Sequence, residues 1–175
     1  MIITIDVGNT NITIILYDDK RKNLHEFRLV TKKQKTGDEL GLTLKNFIIH
    51  SKIVNEDIKA IIIASVVPAI NDTLTYACKK YLSIVPLFVN VREQHQLKIP
   101  LDIRIDSHVI LGADRISGSI GAIARHGQSL IIFDFGTATV CNVIHNNIFL
   151  GGTISPGIET SINALHKQAS LLPFY

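Results

Sequence analysis

The chain contains the stretch Ile5-Asp6-Val7-Gly8-Asn9-Thr10-Asn11 near its start, and a related stretch, Phe133-Asp134-Phe135-Gly136-Thr137-Ala138-Thr139, about three quarters of the way along. Each stretch follows one apolar run and precedes another. An offset of 128 positions lays the two Asp residues on each other. It also lays Asp18-Asp19 on Asn146-Asn147, the predicted turn that closes each hairpin. The sequence therefore predicts two copies of one β-hairpin unit.

The repeated Asp-x-Gly element has two explanations. An Asp at the end of a buried strand, followed by a polar turn with Gly, aims a carboxylate and several backbone N–H groups at one point, which suits a metal-bound polyphosphate. The alternative is ordinary turn chemistry, because Asp, Asn and Gly dominate hairpin turns. Two copies in matching context favour the phosphate interpretation. The sequence contains neither a Gly-x4-Gly-Lys-Ser/Thr loop nor a Gly-x-Gly-x-x-Gly motif after a strand, so another device would hold any nucleotide.

The first half has the pattern of a mixed sheet with helices on its faces. Asp38 is the expected cap of the first helix. The predicted strands are Ile2–Val7, Ile12–Tyr17, Asn23–Val30, Ala60–Val67 and Val85–Val89, and the predicted helices are Glu39–His50 and Pro68 to about Tyr81.

The pattern restarts in the second half but stops after its first helix. Gly151-Gly152 and Ser155-Pro156-Gly157 are predicted to form a turn before that helix. The predicted elements are a linking helix from Leu111 to about Arg125, strands at Leu130–Phe133, Val140–Ile144 and Ile148–Leu150, and a helix at Ile158–Ala169. The expectation is two duplicated domains, residues 1–110 and 111–175, of which the second is incomplete.

Composition narrows the class of protein. Residues are 46% hydrophobic and 19% charged and the net charge is +3. This composition predicts a globular chain of one ordinary domain or two small ones, without nucleic-acid partners. Cys78 and Cys141 match no metal or redox spacing. The longest apolar stretch, Ala60–Ile70, is too short to span a bilayer, and no basic leader precedes the first strand. We expect a cytoplasmic protein with no membrane association.

The stretch Gly112-Ala113-Asp114-Arg115 combines a charged pair with the start of a helix. One interpretation is structural, because an acidic residue in a first turn interacts well with the helix dipole. The functional interpretation makes Asp114 a general base toward a hydroxyl group and Arg115 a ligand for an anionic group. The stretch Gly151–Gly157 is either only a turn or a backbone surface around a substrate.

Taken together, the motifs resemble type III pantothenate kinase, a family of the acetate and sugar kinase/actin superfamily. The resemblance covers essentially the whole chain. The motifs that carry it, in chain order, are Asp6-Val7-Gly8-Asn9-Thr10, Ala64-Ser65-Val66-Val67-Pro68, Gly112-Ala113-Asp114-Arg115, Asp134-Phe135-Gly136-Thr137-Ala138-Thr139, Gly151-Gly152-Thr153-Ile154-Ser155-Pro156-Gly157 and Leu171-Leu172-Pro173. The resemblance implies an α/β, actin-like (ribonuclease H-like) fold with duplicated domains and mixed sheets.

The resemblance also implies roles for individual residues. Asp114 corresponds to the catalytic proton acceptor, Asp6 acts on the ATP phosphates through Mg²⁺, and Asp134 corresponds to the site of a monovalent cation, K⁺ or NH₄⁺. Thr137 corresponds to a second ATP contact. The implied ATP loop is Asp6, Val7, Gly8, Asn9, Thr10, Asn11, Ile12 and Thr13, and the implied pantothenate-binding stretch is Gly112, Ala113, Asp114 and Arg115.

The activity implied is the phosphorylation of the primary hydroxyl of pantothenate by ATP, the first step toward coenzyme A, by a homodimeric enzyme. Two features depart from the family pattern: Ile105 stands where a substrate-contacting Tyr is usual, and the chain is shorter than two full domains. These departures favour one alternative, a non-catalytic or regulatory homologue of the same fold. A further alternative is a kinase for another small hydroxyl compound, which only the Gly112-Ala113-Asp114-Arg115 match separates from a pantothenate kinase.

Overall fold

The computed structural model of the protein describes residues 1–90, 100–106 and 111–169. The motif Leu171-Leu172-Pro173 lies outside these residues. Contacts divide the chain into unit 1, residues 1–99 with 111–114, and unit 2, residues 100–110 with 115–175. The domain boundary predicted between residues 110 and 111 stays a prediction.

Unit 1 is built on a five-stranded mixed sheet with the strand order β3-β2-β1-β4-β5. The strands are β1 (Ile2–Val7), β2 (Asn11–Tyr17), β3 (Asn23–Val30), β4 (Ala60–Ser65) and β5 (Leu87–Phe88). β1 pairs antiparallel with β2 and parallel with β4, so the sheet is mixed, as predicted from the sequence, and the predicted hairpin includes its central strand.

Two α-helices of unit 1 are α1 (Gly37–His50) and α2 (Asn71–Leu82). The sequence suggested Asp38 as the cap of α1, but the cap is Thr36. The Thr36 side chain accepts a hydrogen bond from the Glu39 N–H, and the Glu39 carboxylate accepts one from the Thr36 N–H. This reciprocal capping box leaves Asp38 in the first turn. Pro68 begins a 3₁₀ turn, Pro68–Ile70, and α2 follows it.

Side chains alternate along β1 as a half-buried strand requires. Ile3, Ile5 and Val7 are at most 1% exposed and pack in one core with the apolar side of α1 and α2. Asp6 points to the other face and is exposed. The core therefore holds β1 rigidly and presents the Asp6 carboxylate at the end of the strand.

We expect the stability of unit 1 to fall above about pH 9 because of Cys78. This thiol is completely buried in α2, and burial raises its pKa from 9.0 to about 12. Since the folded pKa lies above the unfolded one, the thiol stabilises the fold below pH 9.0, and that contribution is lost as the pH rises towards 12. Its share of the slope is at most about 1.4 kcal/mol per pH unit. Urea unfolding followed by circular dichroism measures it; Cys78→Ala should remove this share, and an unchanged slope in that variant would refute the assignment.

Unit 2 contains a four-stranded sheet with the order β6-β9-β8-β7. The strands are β6 (Asp102–Ile103), β7 (Leu130–Phe135), β8 (Ala138–His145) and β9 (Ile148–Pro156). The sequence did not indicate β6, whose two residues pair parallel with β9. Asn146 and Asn147, both at positive φ, form the tight turn between β8 and β9, as the repeat predicted.

The prediction of a turn over residues 151–157 is wrong, because β9 continues through these residues to Pro156. Gly151 has φ +131° and lies at the irregularity in the β8–β9 register. Gly152 pairs with Asn142, and a side chain at Gly152 would overlap the main-chain oxygen of Cys141. The two glycines thus allow a bulge and a close approach of strands rather than a chain reversal.

Two helices accompany this sheet: α3 (Ala113–His126), which begins in the part of the chain assigned to unit 1, and α4 (Ile158–Gln168). Other bounds differ from the sequence prediction by a few residues. β4 ends before Val66, β5 has only two residues, and β7 includes Asp134 and Phe135.

Candidate active site

The first hairpin loop, residues 8–11, is held by hydrogen bonds of its own backbone and of Thr31. The Gly8 N–H donates to the Asn11 carbonyl at 2.9 Å. Thr31 donates twice into the loop, from its N–H to the Thr10 carbonyl at 2.9 Å and from Oγ1 to the Gly8 carbonyl at 2.7 Å. A methyl group at Gly8 would lie only 3.3 Å from the Asn11 carbonyl oxygen. The loop is therefore tight. Because Gly8 has no side chain, the main chain of the loop is left uncovered for a ligand.

Asp6 stands beside this loop on the exposed face of the sheet. Its partner in β2 is Thr13 and its partner in β4 is Ala64. Directly opposed residues of antiparallel strands share one face, so the Thr13 side chain lies next to the carboxylate. Ile12 lies on the other face, 2% exposed, so that its side chain is part of the core and only its main chain is left for a ligand.

Two further motifs meet within unit 1 at the same end of the sheet. The Val66 N–H donates to the Val7 carbonyl at 3.0 Å, and the Ser65 hydroxyl accepts a bond from the Val67 N–H at 3.2 Å. A methyl group at Gly112 would lie 3.4 Å from Val66 Cγ1 and would overlap Oδ1 of Asp114. The Gly-Ala-Asp stretch is therefore held against the segment that follows β4.

Asp114 lies in the first turn of α3 and follows two buried residues. Leu111 and Ala113 are 5% and 6% exposed and anchor the stretch, while Asp114 itself is exposed. Its carboxylate folds back over Gly112, where the absence of a side chain makes the room. This arrangement gives an oriented carboxylate that is open to a reactant.

The second hairpin loop, residues 136–138, is one residue shorter than the first. Phe135 pairs with Thr139 around it, and the Gly136 N–H donates to the Ala138 carbonyl at 3.0 Å. As a result Asp134 is opposite Val140, whereas Asp6 is opposite Thr13. The offset of 128 positions therefore aligns β1 with β7. Beyond the turn the alignment shifts by one residue, so that Thr13 of β2 corresponds to Val140 of β8.

The start of α4 supports this second loop. The Thr137 carbonyl accepts two hydrogen bonds, one from the Gly157 N–H at 3.0 Å and one from the Thr160 hydroxyl at 2.8 Å. A side chain at Gly157 would overlap the Gly136 carbonyl oxygen. The loop and the helix N-terminus are thus packed main chain to main chain.

Arg115 is tied into unit 2 by polar and aromatic contacts. Its Nε donates to Oδ1 of Asn142 at 2.7 Å, and its guanidinium carbon lies 5.4 Å from the centre of the Phe149 ring. Asn142 and Phe149 are 3% and 0% exposed. The guanidinium is therefore held at a fixed position over a buried ring.

No group of three or more His, Cys, Asp or Glu residues is placed to hold a metal ion by itself, within the residues that the structure describes. In the same residues no helix combines the length and the hydropathy needed to cross a membrane.

A family model described as type III pantothenate kinase matches residues 2–174. The chain belongs to the type III pantothenate kinase family. Two relatives of that name come from Listeria monocytogenes serotype 4a (strain HCC23) and Geobacillus kaustophilus (strain HTA426). The first is 40% identical over 174 residues, which are 99% of this chain and 65% of the relative. The second is 42% identical over 175 residues, which are 99% of this chain and 66% of the relative. The chain thus spans less than two thirds of the length of these pantothenate kinases.

The fold is shared more widely than the sequence. A crystal structure of a protein assigned as a 2-dehydro-3-deoxygalactonokinase from Sinorhizobium meliloti matches with a TM-score of 0.58 at 12% identity, over 98% of this chain and 58% of that chain. The α/β, actin-like fold of duplicated domains with mixed sheets is confirmed, and so is the shorter second domain: unit 2 repeats the β-β-β-α portion of unit 1.

In this pantothenate kinase family member, the predicted site residues fall into two groups. The ATP loop and the Gly-Ala-Asp stretch lie in unit 1, and Arg115, Asp134 and Thr137 lie in unit 2. Sequence reasoning missed Thr31 and Thr160, which hold the two loops, and Asn142, which holds Arg115. Only Asn142 carried a signal, as a polar residue between Cys141 and Val143 in an apolar strand.

Proposed function

We propose that this chain provides the phosphate loops and the acceptor site of a pantothenate kinase, which transfers the γ-phosphoryl group of ATP to the primary hydroxyl of pantothenate. The product is 4′-phosphopantothenate, the first step toward coenzyme A. Pantothenate and ATP are then the small-molecule partners of the chain.

The observation that carries this proposal is the convergence of three motifs within unit 1. Val66 bonds to Val7 at the end of β1 and lies against Gly112, over which Asp114 folds. A carboxylate for a metal, a backbone loop for phosphates and a second carboxylate for proton transfer therefore belong to one compact unit. Phosphoryl transfer needs mainly alignment, charge neutralisation and a base, so this set is sufficient in kind.

The residues of the first hairpin fit ATP with Mg²⁺. Mg²⁺ is usually held by one or two carboxylates together with substrate phosphates and water, which matches a single exposed Asp6 beside a phosphate loop. Gly8 has no side chain to cover the main chain of residues 8–11, which phosphate oxygens would approach, and Thr13 adds a hydroxyl next to Asp6. When bound, the metal supplies charge neutralisation at the phosphates.

Asp114 is assigned the role of general base, which accepts the proton of the pantothenate hydroxyl group. The pantothenate hydroxyl oxygen forms a bond to the γ-phosphorus, the bond from that phosphorus to the β,γ-bridging oxygen breaks, and the hydroxyl proton passes to the Asp114 carboxylate. Gly112 and Ala113 line the acceptor through their main chain. Arg115, fixed by Asn142, would bind the pantothenate carboxylate as a bidentate donor.

The second hairpin is assigned the remaining contacts. Thr137 would contact ATP from the loop that α4 supports, and the exposed Asp134 carboxylate would hold K⁺ or NH₄⁺, for which oxygen ligands are suited. We further propose a homodimer and a cytoplasmic location for the complete enzyme.

A second candidate, a kinase for another small hydroxyl compound, is favoured by Ile105. It occupies a half-buried position where the family pattern has a Tyr that contacts the substrate. An apolar side chain there removes one hydroxyl from the acceptor pocket, which would change selectivity more than chemistry.

The test is phosphoryl transfer with Mg²⁺ and K⁺, followed by mass spectrometry of the product. The 175-residue chain is assayed alone and as a fusion to the portion of the Geobacillus kaustophilus relative that lies outside the match. We expect K⁺-dependent formation of 4′-phosphopantothenate by the fusion. A folded fusion that phosphorylates neither pantothenate nor analogues with a primary hydroxyl would refute kinase function, and preference for an analogue would select the second candidate.

A further inference from the structure

Thr31, the residue that follows β3, is hydrogen-bonded twice to the first hairpin loop. Its N–H donates to the Thr10 carbonyl at 2.9 Å, and its Oγ1 donates to the Gly8 carbonyl at 2.7 Å. Val30, the last residue of β3, pairs with Asn11 of β2. Thr31 therefore extends the β2–β3 ladder by one residue and reaches the loop from the side of β3.

The hydroxyl bond of Thr31 fixes the orientation of a peptide group in the loop. The peptide bond between Gly8 and Asn9 is trans and planar, so its carbonyl and its N–H point in opposite directions. Since the Gly8 carbonyl accepts the Thr31 hydroxyl, the Asn9 N–H points away from Thr31. Rotation of this peptide group would break that bond. Thr31 thus holds a main-chain donor of the loop in one direction, as an anion site built from backbone N–H groups requires.

Thr31 is itself held from both sides along the chain. Before it, β3 is paired with β2 over its whole length. After it, a short connection leads to Thr36, where the capping box starts α1. Asp38 in the first turn of α1 accepts hydrogen bonds from Lys80 Nζ at 2.8 Å and from the Tyr81 hydroxyl at 2.9 Å, and both donors belong to α2. The start of α1 is thus tied to α2, which limits the movement of Thr31.

The second hairpin loop is restrained by the same pair of donor groups. The Thr160 hydroxyl and the Gly157 N–H both donate to the Thr137 carbonyl, at 2.8 Å and 3.0 Å. These donors come from the start of α4, whereas Thr31 follows a strand. A threonine hydroxyl and a backbone N–H from one neighbouring segment therefore restrain each Asp-x-Gly loop, although the segments differ. This recurrence indicates that the shape of the loop is what the two contacts serve.

We propose that Thr31 is a positioning residue for the ATP phosphates, which keeps the main chain of residues 8–11 in the conformation that binds phosphate oxygens. The inference rests on the proposed function, in which this loop holds the phosphates. Thr31 acts through the loop and not on the reacting atoms. Without its hydroxyl bond the free loop populates other conformations. The apparent Kd for ATP then rises in inverse proportion to the fraction of molecules in the binding conformation.

The test compares two substitutions of Thr31 in the fusion of the chain to the portion of the Geobacillus kaustophilus relative that lies outside the match. Thr31→Val removes the hydroxyl and keeps the branched shape, whereas Thr31→Ser keeps the hydroxyl. Isothermal titration calorimetry should show a Kd for MgATP that is about 3- to 10-fold higher in Thr31→Val, the effect of one hydrogen bond, and changed by less than about 2-fold in Thr31→Ser. The Kd for pantothenate should change in neither variant, because Gly112 packs on Val66 and not on the loop.

Hydrogen exchange of the Gly8 amide in the nucleotide-free 175-residue chain is the second measurement. This N–H is bonded to the Asn11 carbonyl when the loop has the observed shape. It should exchange about 3- to 10-fold faster in Thr31→Val and as slowly as in the unsubstituted chain in Thr31→Ser. The readout does not depend on phosphoryl transfer.

Thr75→Val is the matched control. Thr75 is half-buried like Thr31, and its Oγ1 donates to the Asn71 carbonyl at 2.9 Å within α2. This variant loses the same kind of bond and should bind MgATP as the unsubstituted fusion does. An unchanged Kd for MgATP in Thr31→Val, or an equal loss in Thr31→Ser, would overturn the inference and leave the proposed function intact. A folded, unsubstituted fusion that does not bind MgATP would refute the proposed function and, with it, the role of Thr31.

Discussion

Asp114→Asn is expected to lower kcat for phosphoryl transfer by about 10²- to 10⁴-fold, with little change in the KM for ATP. The amide is nearly isosteric with the carboxylate, so it can still fold back over Gly112. It cannot accept the proton of the attacking hydroxyl. The measurement is steady-state kinetics on the fusion of the chain to the portion of the Geobacillus kaustophilus relative that lies outside the match. This fusion is the form in which we expect turnover.

Asp72→Asn is the matched control for this prediction. Asp72 is also an exposed acidic residue in a first turn, that of α2. Both substitutions remove one favourable charge–dipole interaction, worth about 0.3–1 kcal/mol. Only the loss of a base should affect kcat, so equal activity of the two variants would show that Asp114 serves merely to start its helix.

The order of strands and helices was predictable because local signals agree with the tertiary structure. β1 and β3 have the predicted bounds, and the apolar run that begins at Ala60 was correctly predicted to be a buried strand, β4. These positions are dominated by burial, which the pattern of apolar residues reports directly.

The errors have physical causes that a single sequence does not display. Gly151 and Gly152 suggested a turn, but here glycine permits a bulge and a close main-chain contact within β9. Asp38 suggested a cap, but the reciprocal bonds of Thr36 and Glu39 satisfy the helix start better. In both cases a residue type with two uses was assigned the commoner one.

The sequence predicted the motifs of the site, but it did not predict the contacts that hold the two hairpin loops in place. The two Asp-x-Gly elements indicated both hairpin loops, yet the difference of one residue between the loops appears only in the strand register. The contacts of Thr31 with the first loop and of Thr160 with the second depend on segments that are distant in sequence. Such supports have no local signature.

Gly157→Ala is expected to destabilise unit 2 by about 1–3 kcal/mol, the usual cost of overpacking. The new methyl group would overlap the Gly136 carbonyl oxygen and lie 2.7 Å from that of Thr137. These oxygens belong to the main chain of a tight loop, so they cannot swing aside as a flexible side chain would. The start of α4 must therefore move away from residues 136–138 and lose the bond from Gly157 N–H to Thr137.

Gly121→Ala separates this steric effect from the general effect of replacing a glycine. Apart from its neighbours in the helix, no atom of the residues that the structure describes lies within 4 Å of a methyl group at Gly121, in the interior of α3. Alanine there should stabilise unit 2 by about 0.5–1 kcal/mol through helix propensity. Urea unfolding gives the two free energies, and hydrogen exchange of β7 and β8 shows whether the loss in Gly157→Ala lies at the second hairpin. Opposite signs for the two variants mean that α4 fixes the second loop by direct contact, whereas equal stability would show that the loop holds its shape without the helix.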